Sequence, residues 1–226
     1  WTTVFYINNL YSIDRLVGRI CGEVPPRPVA TAAEAKSFPN GERVSISGKV
    51  VTAGNDQLSG CFYIEEADRS SGIKVVYPEA IQEGNIVNLV GMMETVGGER
   101  QITASSVSVT SQTGALPGPL AMISRSVGGG RLNGYTPGVK NGYGANNIGL
   151  LIRACGRVHF LDANSFYLDD GSGTWIKIIC PAGTTPPEPN LFISVTGISS
   201  CEQSTDGFVG RILARKSTDI IEQLQR

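Results

Sequence analysis

A single histidine, His159, serves a chain of 226 residues, and its five cysteines show no Cys-x-x-Cys spacing. Zinc sites of the usual kind take their ligands from those two residue types at short spacings, so no metal site is expected. Nucleophilic catalysis needs a base beside its nucleophile. No serine or cysteine stands in an elbow motif near His159, which reads as a surface or edge residue. No enzyme and no cofactor are expected on these grounds. Charge is scarce as well: Asp, Glu, Lys and Arg make up 17% of the chain, against roughly 25% in ordinary soluble domains. The two signs balance, with Lys+Arg 19 against Asp+Glu 20. Proteins that grip phosphate backbones carry a basic excess or stripe, so nucleic acid is not the expected partner. No apolar run approaches the roughly 20 residues that span a bilayer. No Asn-x-Ser/Thr sequon occurs, so N-linked sugar of the usual kind is not expected. The sequence begins at Trp1 rather than Met and reads as a processed or trimmed product.

What the chain does hold is turns and a repeat. Gly 28 and Pro 12 suit an all-β protein, and a hydrophobic fraction of 41% supplies a core. In the first half, Ser47-Gly48-Lys49-Val50 is followed by Phe62-Tyr63-Ile64, Ile73-Lys74-Val75 and Ile86-Val87-Asn88-Leu89-Val90-Gly91. The second half repeats the order as Cys155-Gly156-Arg157-Val158, Phe166-Tyr167-Leu168, Ile176-Lys177-Ile178 and Phe192-Ile193-Ser194-Val195-Thr196-Gly197. Gly156 follows Gly48 by 108 residues, Phe166 follows Phe62 by 104, Ile176 follows Ile73 by 103 and Gly197 follows Gly91 by 106. Four blocks in one order, offset only by loop-length changes, mark two copies of one unit.

Each block reads as a strand. Val44-Ser45-Ile46-Ser47 alternates apolar and polar, and Ser106-Val107-Ser108-Val109 continues that pattern as a fifth strand. Turn clusters separate the strands, among them Arg69-Ser70-Ser71-Gly72, Gly97-Gly98 and Asp170-Gly171-Ser172-Gly173. Five short strands per unit, with a break after the third, match a five-stranded Greek-key barrel. The expected fold is therefore all-β: two tandem OB-type barrels over residues 29–111 and 148–226. An N-terminal arm, residues 1–28, precedes them, and a Gly/Asn-rich connection, residues 112–147, joins them. Thr31 to Lys36 reads as a short helix capped by Thr31, with Glu34 at capping-box spacing. The helix usual between strands three and four is reduced to Pro78–Gly84.

The blocks Val44–Val50, Phe62-Tyr63-Ile64, Gly72–Val75 and Gly84–Gly91 resemble secreted bacterial OB-fold domains. Such domains accompany extracellular nucleases and recur in surface proteins. The second unit, with Asn147–Leu151 and Thr196–Glu202, resembles secreted proteins of environmental bacteria. The resemblance spans about residues 29–224. It implies an extracellular or cell-surface location and carries over no catalytic residue, because the OB domain is an accessory in the nucleases.

Two segments lie outside the repeat. The arm opens on the β-forming run Val4, Phe5, Tyr6 and Ile7 and continues with Leu10, Ile13, Val17 and Ile20 at helical spacing. It either packs on its own barrel or is donated to a neighbouring copy as an added strand, which builds filaments where the symmetry does not close. The connection, with Gly128-Gly129-Gly130 and an isolated Lys140, lacks the strand, helix and Lys-Ser/Thr pair of a phosphate loop. It is expected to be an ordered linker packed on a barrel or a neighbour.

The remaining residues define candidate sites. Cys155 lies early in the first strand of the second barrel and Cys201 late in its fourth. Those strands run antiparallel in an OB barrel, so the two are expected to form a disulfide, with Cys21 and Cys61 as a second pair and Cys180 left over. OB barrels bind single strands or sugars across strands two and three. The candidate ligand faces are Tyr63, Lys74 and Tyr77 in the first barrel and Tyr167, Trp175 and Lys177 in the second. Glu65, Glu66, Asp169 and Asp170 would repel phosphate and penalise a neutral glycan less; both acid pairs read as turn chemistry. Calcium on Asp169 and Asp170 lacks the EF-hand spacing. The leading expectation is a secreted, non-catalytic structural protein that assembles with copies of itself through its arm. The alternative is a binding module for single-stranded nucleic acid or glycan.

Overall fold

Alternation decides the first strand. In Arg43–Ala53 (β2) the apolar side chains of Val44, Ile46 and Val51 turn inward while Arg43 and Ser47 meet water. The computed structural model describes residues 24–222 of the chain. Over that range the protein is all-β, with two sheets taken from its two halves. The arm residues Val4, Phe5, Tyr6, Ile7, Leu10, Ile13, Val17 and Ile20, and Cys21, lie outside the described residues.

In the first half, Arg27–Val29 (β1) lies parallel to β2. The short helix Ala32–Ala35 (α1) follows, its start held by Thr31, whose hydroxyl accepts from the Glu34 amide at 3.1 Å. β2 pairs antiparallel with Cys61–Glu65 (β3) on one side and Ile86–Val96 (β5) on the other. β3 pairs with Gly72–Val76 (β4), and β4 lies parallel to Glu99–Ser111 (β6). β5 and β6 form a long hairpin across Gly97-Gly98. Both glycines have positive φ, +59° and +85°, which a tight two-residue hairpin requires. Hydrogen-bonded neighbours thus run β2-β3-β4-β6-β5 and return to β2.

The second half repeats this path. Leu120–Ala121 (β7), inside the connection, lies parallel to Leu151–Asp162 (β8). β8 pairs with Ser165–Asp169 (β9), and β9 with Ile176–Ile179 (β10). Phe192–Ser204 (β11) pairs with β8, with Gly207–Leu213 (β12) and with Ile220–Glu222 (β13). β10 lies parallel to β12, as β4 does to β6. The pairings run β8-β9-β10-β12-β11 and return to β8.

Each half has its own apolar core. Phe62 and Phe166, equivalent in the repeat, are both fully buried, one in each core. A third cluster of Ala53, Tyr63, Leu151 and Ile198 joins the halves. β11 is buried on both faces from Ile193 to Cys201, and its Ile198 meets the first half in that cluster. The connection folds onto both halves. Its Thr136 hydroxyl donates to the Lys36 carbonyl at 2.8 Å, and the Lys140 amide donates to the Phe208 carbonyl at 2.6 Å. The glycines there allow backbones to touch: a Cβ on Gly129 would sit 1.9 Å from the Ala145 carbonyl oxygen.

The expected disulfides are corrected. Cys61, Cys155, Cys180 and Cys201 are free thiols. Across the β8–β11 ladder Cys155 faces Ser194, whereas Cys201 faces Gly210 on β12. Cys201 lies seven residues beyond Ser194 on the same strand, roughly 23 Å at the usual strand rise. A disulfide needs Cα atoms within about 7 Å. Cys155 is also exposed while Cys201 is buried. Burial pushes the Cys201 thiol up to about 12 and the Cys180 thiol to about 11, so neither is a ready nucleophile.

Candidate functional site

Ladder register builds a row of side chains across the second sheet. His159 on β8 faces Tyr167 on β9, Tyr167 faces Lys177 on β10, and Lys177 faces Arg211 on β12. Arg211 in turn faces Ser200 on β11. Directly opposed residues share one face of a sheet, and the core phenylalanine and leucine of β9 take the other. Trp175, just before β10, lies over this row. Its indole stacks on the His159 ring, with centroids 4.1 Å apart and planes 12° apart. Tyr167 meets the same indole at 6.2 Å and 47°. Asp169 Oδ2 lies 3.7 Å from His159 Nε2. The histidine therefore backs the tryptophan, which still keeps 51% of its surface exposed.

Beside this aromatic wall is a charged patch in which one carboxylate is shared by two cations. Glu202 receives the Lys177 Nζ at 3.1 Å on Oε1 and the Arg211 Nη1 at 3.2 Å on Oε2. Together Tyr167, Trp175, Lys177, Glu202, Val209 and Gly210 line a cavity of about 360 Å³. One wall is a flat aromatic ring, and the other carries donors and acceptors whose charges are paired through Glu202, with one positive charge in excess. That combination suits a ligand with one apolar face and several hydroxyls. Three of the expected ligand residues, Tyr167, Trp175 and Lys177, come together here. His159, Glu202 and Arg211 complete the cavity and its backing. From the sequence His159 reads only as a surface or edge residue, because its role depends on a loop residue sixteen positions on.

The matching face of the first half is closed. Tyr63 sits opposite Lys74, as Tyr167 sits opposite Lys177. Tyr63, however, is fully buried under the second half, and its hydroxyl donates to Glu99 Oε1 at 2.9 Å. Burial first, and the neighbouring Glu99 charge second, hold that phenol well above its ordinary range. Tyr77 is half-buried and packs on the first core. Tyr63, Lys74 and Tyr77 therefore do not form an open ligand face, because the second half covers β3 where a ligand would lie.

The acids also divide. Asp169 and Asp170 cap the β9–β10 turn, accepting from the Gly171 and Ser172 amides, both at 2.9 Å. Glu66 opens the β3–β4 turn through its backbone, its carbonyl accepting from the Arg69 amide at 2.8 Å, but the Glu65 and Glu66 side chains serve other contacts. Glu65 Oε2 accepts from the Leu151 amide at 2.8 Å, and Glu66 accepts from the Ala32 amide at 2.8 Å and pairs with Lys49. Among the described residues no three His, Cys, Asp or Glu side chains are grouped to hold a metal ion. Among them, too, no helix is long and apolar enough to cross a membrane.

No family model and no curated protein matches this chain. One solved structure, described as "Molecular basis for abrogation of activation of pro-inflammatory cytokines", aligns over 83% of this chain and 95% of its own. Its identity is 9% and its TM-score 0.33.

Proposed function

We propose that the chain is a non-catalytic binding protein whose second half takes a neutral glycan on the Trp175 wall. The observation that carries this is an indole held half-exposed by a stacked histidine, next to a carboxylate that two cations neutralise. A sugar offers an apolar face to the ring and hydroxyls to Glu202, Lys177 and Arg211. A phosphate backbone finds both of those cations already paired with Glu202, which is why single-stranded nucleic acid is the weaker reading of the same face.

The reading includes two tandem OB-type barrels. It is supported by the two pairing circuits that return to their first strand, and by the parallel β4–β6 and β10–β12 pairs at equivalent places. OB barrels bind across this part of the fold, though fold alone does not assign a ligand. An extracellular or cell-surface setting rests on the sequence resemblance. Self-assembly through Val4–Ile7 rests on the sequence pattern of the arm, and electron microscopy of the full chain against one lacking residues 1–23 tests it.

The glycan reading is tested by titrating the full chain with neutral cello-, xylo- and manno-oligosaccharides. Trp1 and Trp175 are the two tryptophans, so quenching lost in Trp175→Phe locates the contact. Trp175→Ala is expected to weaken binding at least about tenfold, or about 1.4 kcal/mol, with little change between low and high salt. Binding of oligothymidylate that falls steeply with salt, and no response to any sugar, would turn the assignment to nucleic acid.

A further inference from the structure

A second trough, of about 500 Å³, opens at the seam between the halves. Its lining comes from three places. Leu120, Met122, Ile123 and Tyr143 come from the connection, Leu150 comes from the second half just before β8, and Arg69 and Ser70 come from the β3–β4 turn. Ile123 is 49% exposed and Tyr143 55% exposed. Apolar side chains grouped in an open concavity mark binding surfaces more often than chance exposure does.

Among the residues lining this trough, Arg69 alone is charged. Arg69 holds the left-handed conformation at the turn tip, φ +62°. Among the described residues its guanidinium has no hydrogen-bond or ion-pair partner, although the buried Glu65 feels its field. Arg125 lies 4.7 Å over the Tyr143 ring, again with no carboxylate in ion-pair range among the described residues. The neighbouring acids are held by backbone amides rather than by Arg69 or Arg125. Asp68 Oδ1 accepts from the Ser70 amide at 2.9 Å, and Asp170 accepts from the Ser124 and Ser172 amides.

We propose that this trough binds a small amphipathic carboxylate, its apolar body on Leu120, Met122, Ile123 and Tyr143 and its carboxylate on Arg69. A guanidinium presents a planar fork that matches a carboxylate with two parallel hydrogen bonds. The apolar lining takes the tail that a hydrated inorganic anion lacks. Because the lining spans both halves and the connection, bound ligand ties the three together and raises the melting temperature by mass action. The site is separate from the Trp175 wall and does not depend on it.

The test is calorimetric titration of the full chain with octanoate and, in parallel, with octanamide, which has the same tail and no charge. Octanoate is expected to bind about tenfold more tightly. Arg69→Gln should bring octanoate down to the octanamide level, Arg69→Lys should keep part of the preference, and Tyr143→Ala should weaken both ligands. Trp175→Ala should leave both unchanged, which separates this site from the glycan site. Equal binding of the two ligands overturns the proposal. So does a preference that survives Arg69→Gln, or silence from both ligands up to about 10 mM.

Discussion

Tyr63 and Tyr167 hold the same place in the repeat and have opposite fates. Each follows a core phenylalanine, so alternation alone shows that the tyrosine leaves its own core. What waits outside differs: solvent and Trp175 for one, the other half of the protein for its twin. Glu65 carries the same lesson to a titrating group. Its Oε2 is held by the Leu151 amide, its Oε1 is buried without a partner, and burial lifts its carboxyl to about 7 from 4.5. The folded state then holds that proton more tightly than the unfolded chain, so stability falls as pH rises from about 4.5 through 7. Lys36 works in the opposite sense. Burial lowers its amine to about 8 from 10.5, so stability is regained as pH rises between those values. Glu65→Gln keeps an acceptor for Leu151 and removes the ionisation. Its melting temperature is expected to stay level relative to wild type between pH 5 and about 7.5, where the wild-type value declines. Parallel melting curves against pH would show that Glu65 ionises without penalty.

At the scale of elements, the repeat made most of the architecture readable. Its four blocks fall in β2 to β5 and β8 to β11, and the Thr31 cap is where capping chemistry puts it. β6 was visible only as Ser106–Val109, although it runs from Glu99 to Ser111. β12, the fifth strand expected of the second unit, could not be placed because Gly-Phe-Val-Gly-Arg-Ile-Leu has no clean period of two. The glycines of the repeat separate two physical causes that the sequence writes with one letter. Gly197 has no room: a Cβ would lie 2.4 Å from the Leu213 carbonyl oxygen and 2.7 Å from Ile212 Cγ2. Gly48 has open space, but its φ is +69°, at the irregularity in the β2–β5 ladder. Gly197→Ala is expected to cost about 2 kcal/mol through overpacking. Gly48→Ala is expected to cost about 1 kcal/mol through backbone strain alone. Urea unfolding of the two variants checks the order, and a larger loss at Gly48 would contradict it.

At the scale of the molecule, the halves are joined by more than their connection. Ala53, Tyr63, Leu151 and Ile198 form one apolar cluster from both sides. Glu99, from the first half, accepts from Tyr63 at 2.9 Å and from Ser200 of the second at 3.0 Å. Arg215, from the second half, donates to the Thr52 carbonyl at 2.7 Å and to Glu83 at 2.9 Å, while Asp219 holds its Nε at 2.9 Å. Lys36 Nζ donates to the Ile148 carbonyl at 2.6 Å. None of this is readable from a repeat, which reports what two units share and not how they dock. A buried polar group that loses its partner costs about 1–3 kcal/mol, so neither half can loosen without stranding groups in the other. Residues 24–222 are therefore expected to unfold in one cooperative transition, with calorimetric and van't Hoff enthalpies equal. Arg215→Ala removes the buried guanidinium from the Thr52 carbonyl, Glu83 and Asp219 at once, leaving Glu83 with Lys216 and Gln57 and Asp219 with the residue 215 amide, and is expected to lower the whole transition by several degrees. Halves that merely sat side by side would give two transitions in the wild type, and the same substitution would lower only one of them.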